Sequence, residues 1–126
     1  MDIYRTEIPR VNRTETPNIV FEMMEEGLIS YCDFVLYSFY RRIAGQEGAC
    51  WVGTIELEKK LGISDKTIKN SKKTLSSSFE CLNGKSLIEI TPCDRKKGIG
   101  DNVTIIDIWP ENFEFFKRSI EKSINQ

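Results

Sequence analysis

Between Leu61 and Asp65 the chain reads Gly62-Ile63-Ser64, and this break constrains the fold more than any other stretch. Upstream, "TIELEKKL" carries Ile55, Leu57 and Leu61 as its apolar positions. Thr54 can cap that segment, and Glu56 and Glu58 suit the positive end of a helix. Downstream, Ser64 can cap a second segment in which Ile68, Ser71, Leu75, Phe79 and Leu82 recur at i, i+3, i+7, i+11 and i+14. That spacing predicts one buried stripe on a helix over 65–82, either continuous or broken at Ser76–Ser78. Two helices joined by about three residues with a glycine in the turn form a helix-turn-helix unit.

The second segment carries another stripe. Lys66, Lys69, Asn70, Lys73 and Ser77 fall at i, i+3, i+4, i+7 and i+11, with no carboxylate and no large apolar side chain among them. A helix needing only solubility interleaves Glu with Lys at i,i+4, since those pairs attract and like charges repel. A polyanionic partner explains why this face does not. Charge along the chain is correspondingly lopsided. Net charge is −1, yet residues 59–97 hold ten basic and four acidic groups, leaving eight basic and fifteen acidic ones elsewhere. An acidic whole with one basic region suits a protein that turns one side to a polyanion.

The remaining chain reads as follows. Residues 1–18, with Pro9 and Pro17, form an extended N-terminal arm. "NIVFEMMEEG" is a short helix stopped at Gly27, and Ser30 caps a longer one ending at Gly45. In this longer helix Cys32, Val35, Leu36, Phe39, Tyr40 and Ile43 are apolar at helical spacing, so it belongs at the centre of the core. Phe34 and Tyr37 crowd the same helix as core or interface. Cys50–Val52 is a brief strand, and "SLIEITP" and "NVTIIDIW" are two more, bracketing a basic, glycine-containing loop with Arg95, Lys96 and Lys97. Trp51 and Trp109 are expected to pack at strand ends. From Pro110 a C-terminal helix over 110–126 carries Phe113, Phe116, Ile120 and Ile124 on one stripe, with Phe115 off it. This stripe must bury, either by folding back on the helix at 30–44 or by pairing with a second subunit, and a homodimer is the expectation. Two-fold pairing places two copies of the second helix about one DNA turn (~34 Å), or a multiple of it, apart.

The order helix, strand, helix, turn, helix, strand, basic loop, strand is that of a winged helix-turn-helix. Residues 30–109 resemble the winged-helix domains of bacterial transcriptional regulators. They are most similar to those at the N-termini of plasmid, phage and DnaD-type replication-initiation proteins. "CWVGTIELEKKLGISDKTIKNSKKTL" stands in the place of the helix-turn-helix, with Thr54, Leu61, Gly62, Ile63, Ser64, Thr67 and Ile68 on the family pattern, and "LIEIT" in the place of the first wing strand. One departure is "SSSFECLNGK", inserted where the family leads directly into the wing. The resemblance implies an α+β fold: a winged helix-turn-helix domain over 19–109 plus the C-terminal helix. It also implies a function in replication or transcription regulation, with helix 65–82 in a DNA major groove.

Physical chemistry assigns the roles within that reading. The capped start of the helix, with Ser64 and Thr67, suits a phosphate or a base edge. Lys66, Lys69, Lys72 and Lys73 neutralise phosphates, releasing counterions. Asn70 can pair bidentately with adenine. Arg95, Lys96 and Lys97 reach the backbone or minor groove from the wing tip. The competing reading is a winged helix that binds another protein.

Other classes are disfavoured. The chain has no His, no glycine-rich phosphate loop and no nucleophile beside a base, so no enzyme is expected. Cys32, Cys50, Cys81 and Cys93 show no C-x-x-C spacing and read as free thiols, with no metal or cofactor expected. No apolar run spans a bilayer and no signal peptide is evident, so neither a membrane nor a small-molecule ligand is expected and the protein is placed in the cytoplasm. Asn12-Arg13-Thr14 and Asn102-Val103-Thr104 are then chance glycosylation matches.

Overall fold

A computed structural model describes residues 14–92 and 101–124. Among them are five α-helices and a small antiparallel sheet, an α+β arrangement. In chain order the elements are α1 (Asn18–Glu25), α2 (Tyr31–Ala44), β1 (Ala49–Trp51), α3 (Thr54–Leu61), α4 (Asp65–Leu75), β2 (Ile88–Thr91), β3 (Asn102–Ile105) and α5 (Trp109–Ile124). The sheet order is β1-β3-β2; Cys50 pairs with Val103 and Ile90 with Val103 from the other side. The N-terminal arm lies outside the described residues except for its last few positions before α1.

Helix α2 is the central rod. Ser30 caps it through a reciprocal pair: its Oγ accepts from the Asp33 N–H at 3.1 Å, and Asp33 Oδ2 accepts from the Ser30 N–H at 2.9 Å. Its buried stripe is Asp33, Leu36, Tyr37, Tyr40 and Ala44. Val35 and Ile43, expected inside, are exposed. The helix is apolar around much of its circumference, and the polar Asp33 is drawn in by its capping role, so apolar spacing alone misplaces the stripe by one position. Helix α2 packs against α4 and the strands β1 and β3. Leu57 of α3, Ile68 and Leu75 of α4, and Ile88 and Val103 of the sheet, all fully buried, belong to the same core cluster.

Tyr40 is fully buried, and its hydroxyl has no hydrogen-bonding partner among the described residues. Burial, and after it the nearby Cys50 and Asp101, push its ionisation above the ordinary phenol value. The Tyr37 hydroxyl is pushed the same way by burial, against a smaller opposing pull from Arg41. Since the folded-state pKa values are raised, the neutral phenols contribute their full stability below about pH 10, the unfolded value, and lose it as pH rises beyond. Tyr40→Phe removes an orphaned polar atom, and we expect it to raise stability by about 1 kcal/mol. Thermal melts from pH 7 to 11 check this. The variant should match or exceed the parent at pH 7 and lose less at the alkaline end; a clear loss at pH 7 would show that the hydroxyl is bonded.

The turn between α3 and α4 forms as expected. Gly62 takes the left-handed conformation (φ 66°) that ends α3, where a side chain would be strained. The cap of α3, however, is Gly53; Thr54 is already the first helical residue and its hydroxyl caps nothing. At the far end α4 stops at Leu75, so of the two alternatives it is the break at Ser76–Ser78 that occurs. The cause is local. Ser76 Oγ donates to the Lys73 carbonyl at 3.2 Å and Ser77 Oγ to the Thr74 carbonyl, capturing acceptors at the helix end. The Leu87 N–H then takes the Leu75 carbonyl at 3.0 Å, tying the lead into β2 to the end of α4. Phe79 and Leu82 are still buried, but they reach the core from the loop and a single 3-10 turn (Glu80–Leu82).

Helix α5 begins where Asp107 Oδ1 accepts the Trp109 N–H at 3.0 Å. Its first turn is anchored twice. Asn112 Oδ1 accepts from the Ile19 N–H at 2.9 Å, closing the start of α1. The buried Glu111 carboxylate receives Lys85 Nζ at 2.7 Å, and that ammonium also donates to the Asp107 carbonyl at 3.1 Å. Beyond this turn the stripe Phe113, Phe116, Ile120 and Ile124 is 44–75 % exposed. It does not fold back on α2; the off-stripe Phe115 is the aromatic that packs inward. No described helix is long and apolar enough to cross a membrane.

Candidate nucleic-acid interface

Helix α4 presents the two faces its spacing predicts. Ile68, Ser71 and Leu75 are buried, while Lys66, Lys69, Asn70 and Lys73 are exposed. Ser64 caps the helix: its Oγ accepts from the Thr67 N–H at 3.3 Å and donates to Thr67 Oγ1 at 2.9 Å. The two hydroxyls thus engage each other at the helix start, and the cap is their first role.

The four lysines are not equivalent. Lys66 and Lys73 form no ion pair among the described residues, and the same holds for Lys59 on α3. Lys69 reaches back to Asp65 at 3.0 Å, an i,i+4 pair that stays open to solvent on both sides. Such a pair contributes only about 0.3–0.5 kcal/mol, so the ammonium can be recruited elsewhere. Lys72 is different. Its side chain is 13 % exposed and meets Asp101, at the entry to β3, at 3.2 Å. Expected among the phosphate contacts, it is instead withdrawn from the cationic face, because its position on α4 turns it to the sheet. Lys60 is likewise paired, with Glu56 at 3.0 Å, and Lys85 is held by Glu111. The lopsided charge of residues 59–97 therefore overstates what faces solvent.

Lys72 can be separated from Lys73 by experiment. Lys72→Ala strands Asp101 and should cost about 1–2 kcal/mol of stability, whereas Lys73→Ala should change the melt by less than about 0.5 kcal/mol. Chemical denaturation of both variants checks this; equal effects would contradict the division of roles.

Beside the exposed lysines lies a cleft of about 1210 Å³ between β1, α3, α4 and the sheet. Lys59, Lys69 and Lys73 line it together with Trp51 and Ile55, and Asp65 and Asp101 also contribute. Trp51 is 59 % exposed. It was expected to pack at a strand end and does not, and Ile55, one of the apolar positions of α3, also projects into solvent. Strand alternation carries the signal for Trp51: Cys50 and Val52 point inward, so the residue between them points out. The basic loop with Arg95, Lys96 and Lys97 lies outside the described residues, as does Cys93. Cys32, Cys50 and Cys81 are free thiols, and burial raises the Cys50 and Cys81 pKa values.

In chemical terms the surface offers exposed ammonium groups, an exposed amide at Asn70, and the exposed side chains of Trp51 and Ile55. Compared with known proteins, the chain matches no family model, no curated relative and no solved structure.

Proposed function

We propose that this protein binds double-stranded DNA as a winged helix-turn-helix, with α4 as the recognition helix and the loop between β2 and β3 as the wing. The observation that carries the reading is the outer face of α4, where Lys66, Lys69, Asn70 and Lys73 stand exposed beside Lys59 and a broad cleft. Helix α4 is 11 residues long, about 16 Å at 1.5 Å per residue, which suits insertion into a major groove about 12 Å wide. Lys66, Lys69 and Lys73 supply phosphate contacts, joined by Arg95, Lys96 and Lys97 from the wing. Ser64 and Thr67 approach the backbone at the positive end of the helix. Asn70 is the base-reading residue, and Lys72 holds the wing strand against α4 rather than touching DNA. A place in replication initiation or transcription control follows from the same reading.

A second reading has its own support. Trp51 and Ile55 give the cleft an apolar wall, and exposed Trp is enriched at protein–protein contacts. On that reading the same face docks another protein. Amide shift mapping separates the two. Adding a mixed-sequence duplex should move the amides of residues 64–73 and leave those of α5 in place. A spectrum unmoved by duplex at low salt would refute the DNA reading.

A further inference from the structure

The exposed stripe of α5 lies apart from the proposed DNA contacts and needs its own explanation. From Phe116 to Ile124 every residue of the helix is exposed. A helical segment this short gains little from its own backbone in water, since most helix stability comes from packing an apolar face. At 100° per residue, Trp109, Phe113, Phe116, Ile120 and Ile124 fall within about 80° of the circumference. Their 3-4 spacing is that of a coiled-coil seam. A hollow of about 570 Å³, lined by Trp109, Phe113, Phe115 and Phe116, opens alongside.

We propose that this stripe is covered by α5 of a second copy, packed antiparallel about a two-fold axis near Ser119. Two observations select that occupant and that direction. The first is charge. One flank of the seam carries Glu114, Lys117 and Glu121, while the other carries Asn112, Ser119 and Ser123, none of them charged. In an antiparallel two-fold pair like flanks meet, so Lys117 lies opposite Glu121 of the second copy and Glu121 opposite its Lys117. Phe116 then enters the space between Ile120 and Ile124 of the mate. A parallel pair instead sets the charged flank against the neutral one and leaves those charges without cross-partners. The second observation is where the rest of the chain lies. Among the described residues the hydrogen-bonded anchors of α5 lie in its first turn, through Glu111 and Asn112, and Phe115 in the next turn packs against the core, so everything beyond it projects away. Antiparallel pairing separates the two bodies by about 27 Å along the helix axis, whereas parallel pairing crowds them at one end.

The surface does not depend on DNA binding, and its test needs none. Sedimentation equilibrium of the full chain under reducing conditions should give twice the monomer mass of 14.6 kDa at micromolar concentration. Phe116→Glu with Ile120→Glu should give a folded monomer, since both positions are exposed; circular dichroism confirms the fold. The charge flank tests direction. Lys117→Glu alone and Glu121→Lys alone should each weaken the dimer about tenfold, and the double swap Lys117→Glu/Glu121→Lys should restore it. A monomer at every concentration would overturn the proposal and leave the stripe to a different partner. A dimer indifferent to the Phe116 and Ile120 changes would overturn the surface. Charge effects that the double swap does not restore would overturn the antiparallel register.

Discussion

Reversing Lys69 and Lys73 to glutamate together is expected to weaken duplex DNA binding at least about a hundredfold. On the proposed reading each change removes an ammonium that neutralises a phosphate and puts a carboxylate in its place, so attraction becomes repulsion at two points about one helical turn apart. The fold should hardly notice. Both side chains are exposed, and among the described residues Lys69 alone of the two has an ion-pair partner, Asp65. Losing that pair and placing a like charge near it costs less than about 1 kcal/mol. Anisotropy of a labelled duplex and a thermal melt on the same preparation check both halves. Retained binding would remove α4 as the contact surface, and a collapsed melt would show that the two lysines serve the fold.

The largest expected stability effect lies elsewhere, at Lys85. Its ammonium meets the Glu111 carboxylate, which is 7 % exposed, and no other cation reaches that carboxylate among the described residues. Lys85→Met leaves a buried carboxylate without its counter-charge and should cost about 3 kcal/mol, a fall in Tm of about 10 °C for a domain of this size. The double variant Lys85→Met/Glu111→Leu should recover most of the loss, because two apolar side chains can replace a buried ion pair at little cost. The single variant should also loosen α5 at its first turn, where Glu111 and Asn112 hold it. A melt unchanged by Lys85→Met would show that solvent reaches Glu111 without the lysine.

Particular residues show how far the sequence can be read. The two faces of α4 were legible because a 3.6-residue period separates them cleanly: Ile68, Ser71 and Leu75 on one side, Lys66, Lys69, Asn70 and Lys73 on the other. Ser30 and Ser64 were legible as caps because capping chemistry is local. The three-stranded sheet followed from runs of β-branched residues, though the winged helix itself remains a proposal. What escaped was set by long-range geometry. Lys72 looks like its neighbours in sequence, and only the approach of Asp101, twenty-nine residues on, withdraws it. The end of α4 was open between a continuous helix and a break at Ser76–Ser78, and two serines that bond helix-end carbonyls, which periodicity does not register, accompany the break. Buried and exposed apolar positions were confused in α2, where large apolar side chains occupy more than one face, as Val35 and Ile43 show.

The central claim is that ammonium groups on α4, with Lys59 of α3 beside them, exchange their counterions for DNA phosphates, and salt dependence reads that exchange directly. With Lys59, Lys66, Lys69 and Lys73 in contact, log K for a mixed-sequence duplex should fall linearly with log salt, with a slope of about −3 to −4, and more steeply if the wing also engages. A slope near zero, or no binding to duplex at 50 mM salt, would contradict the account.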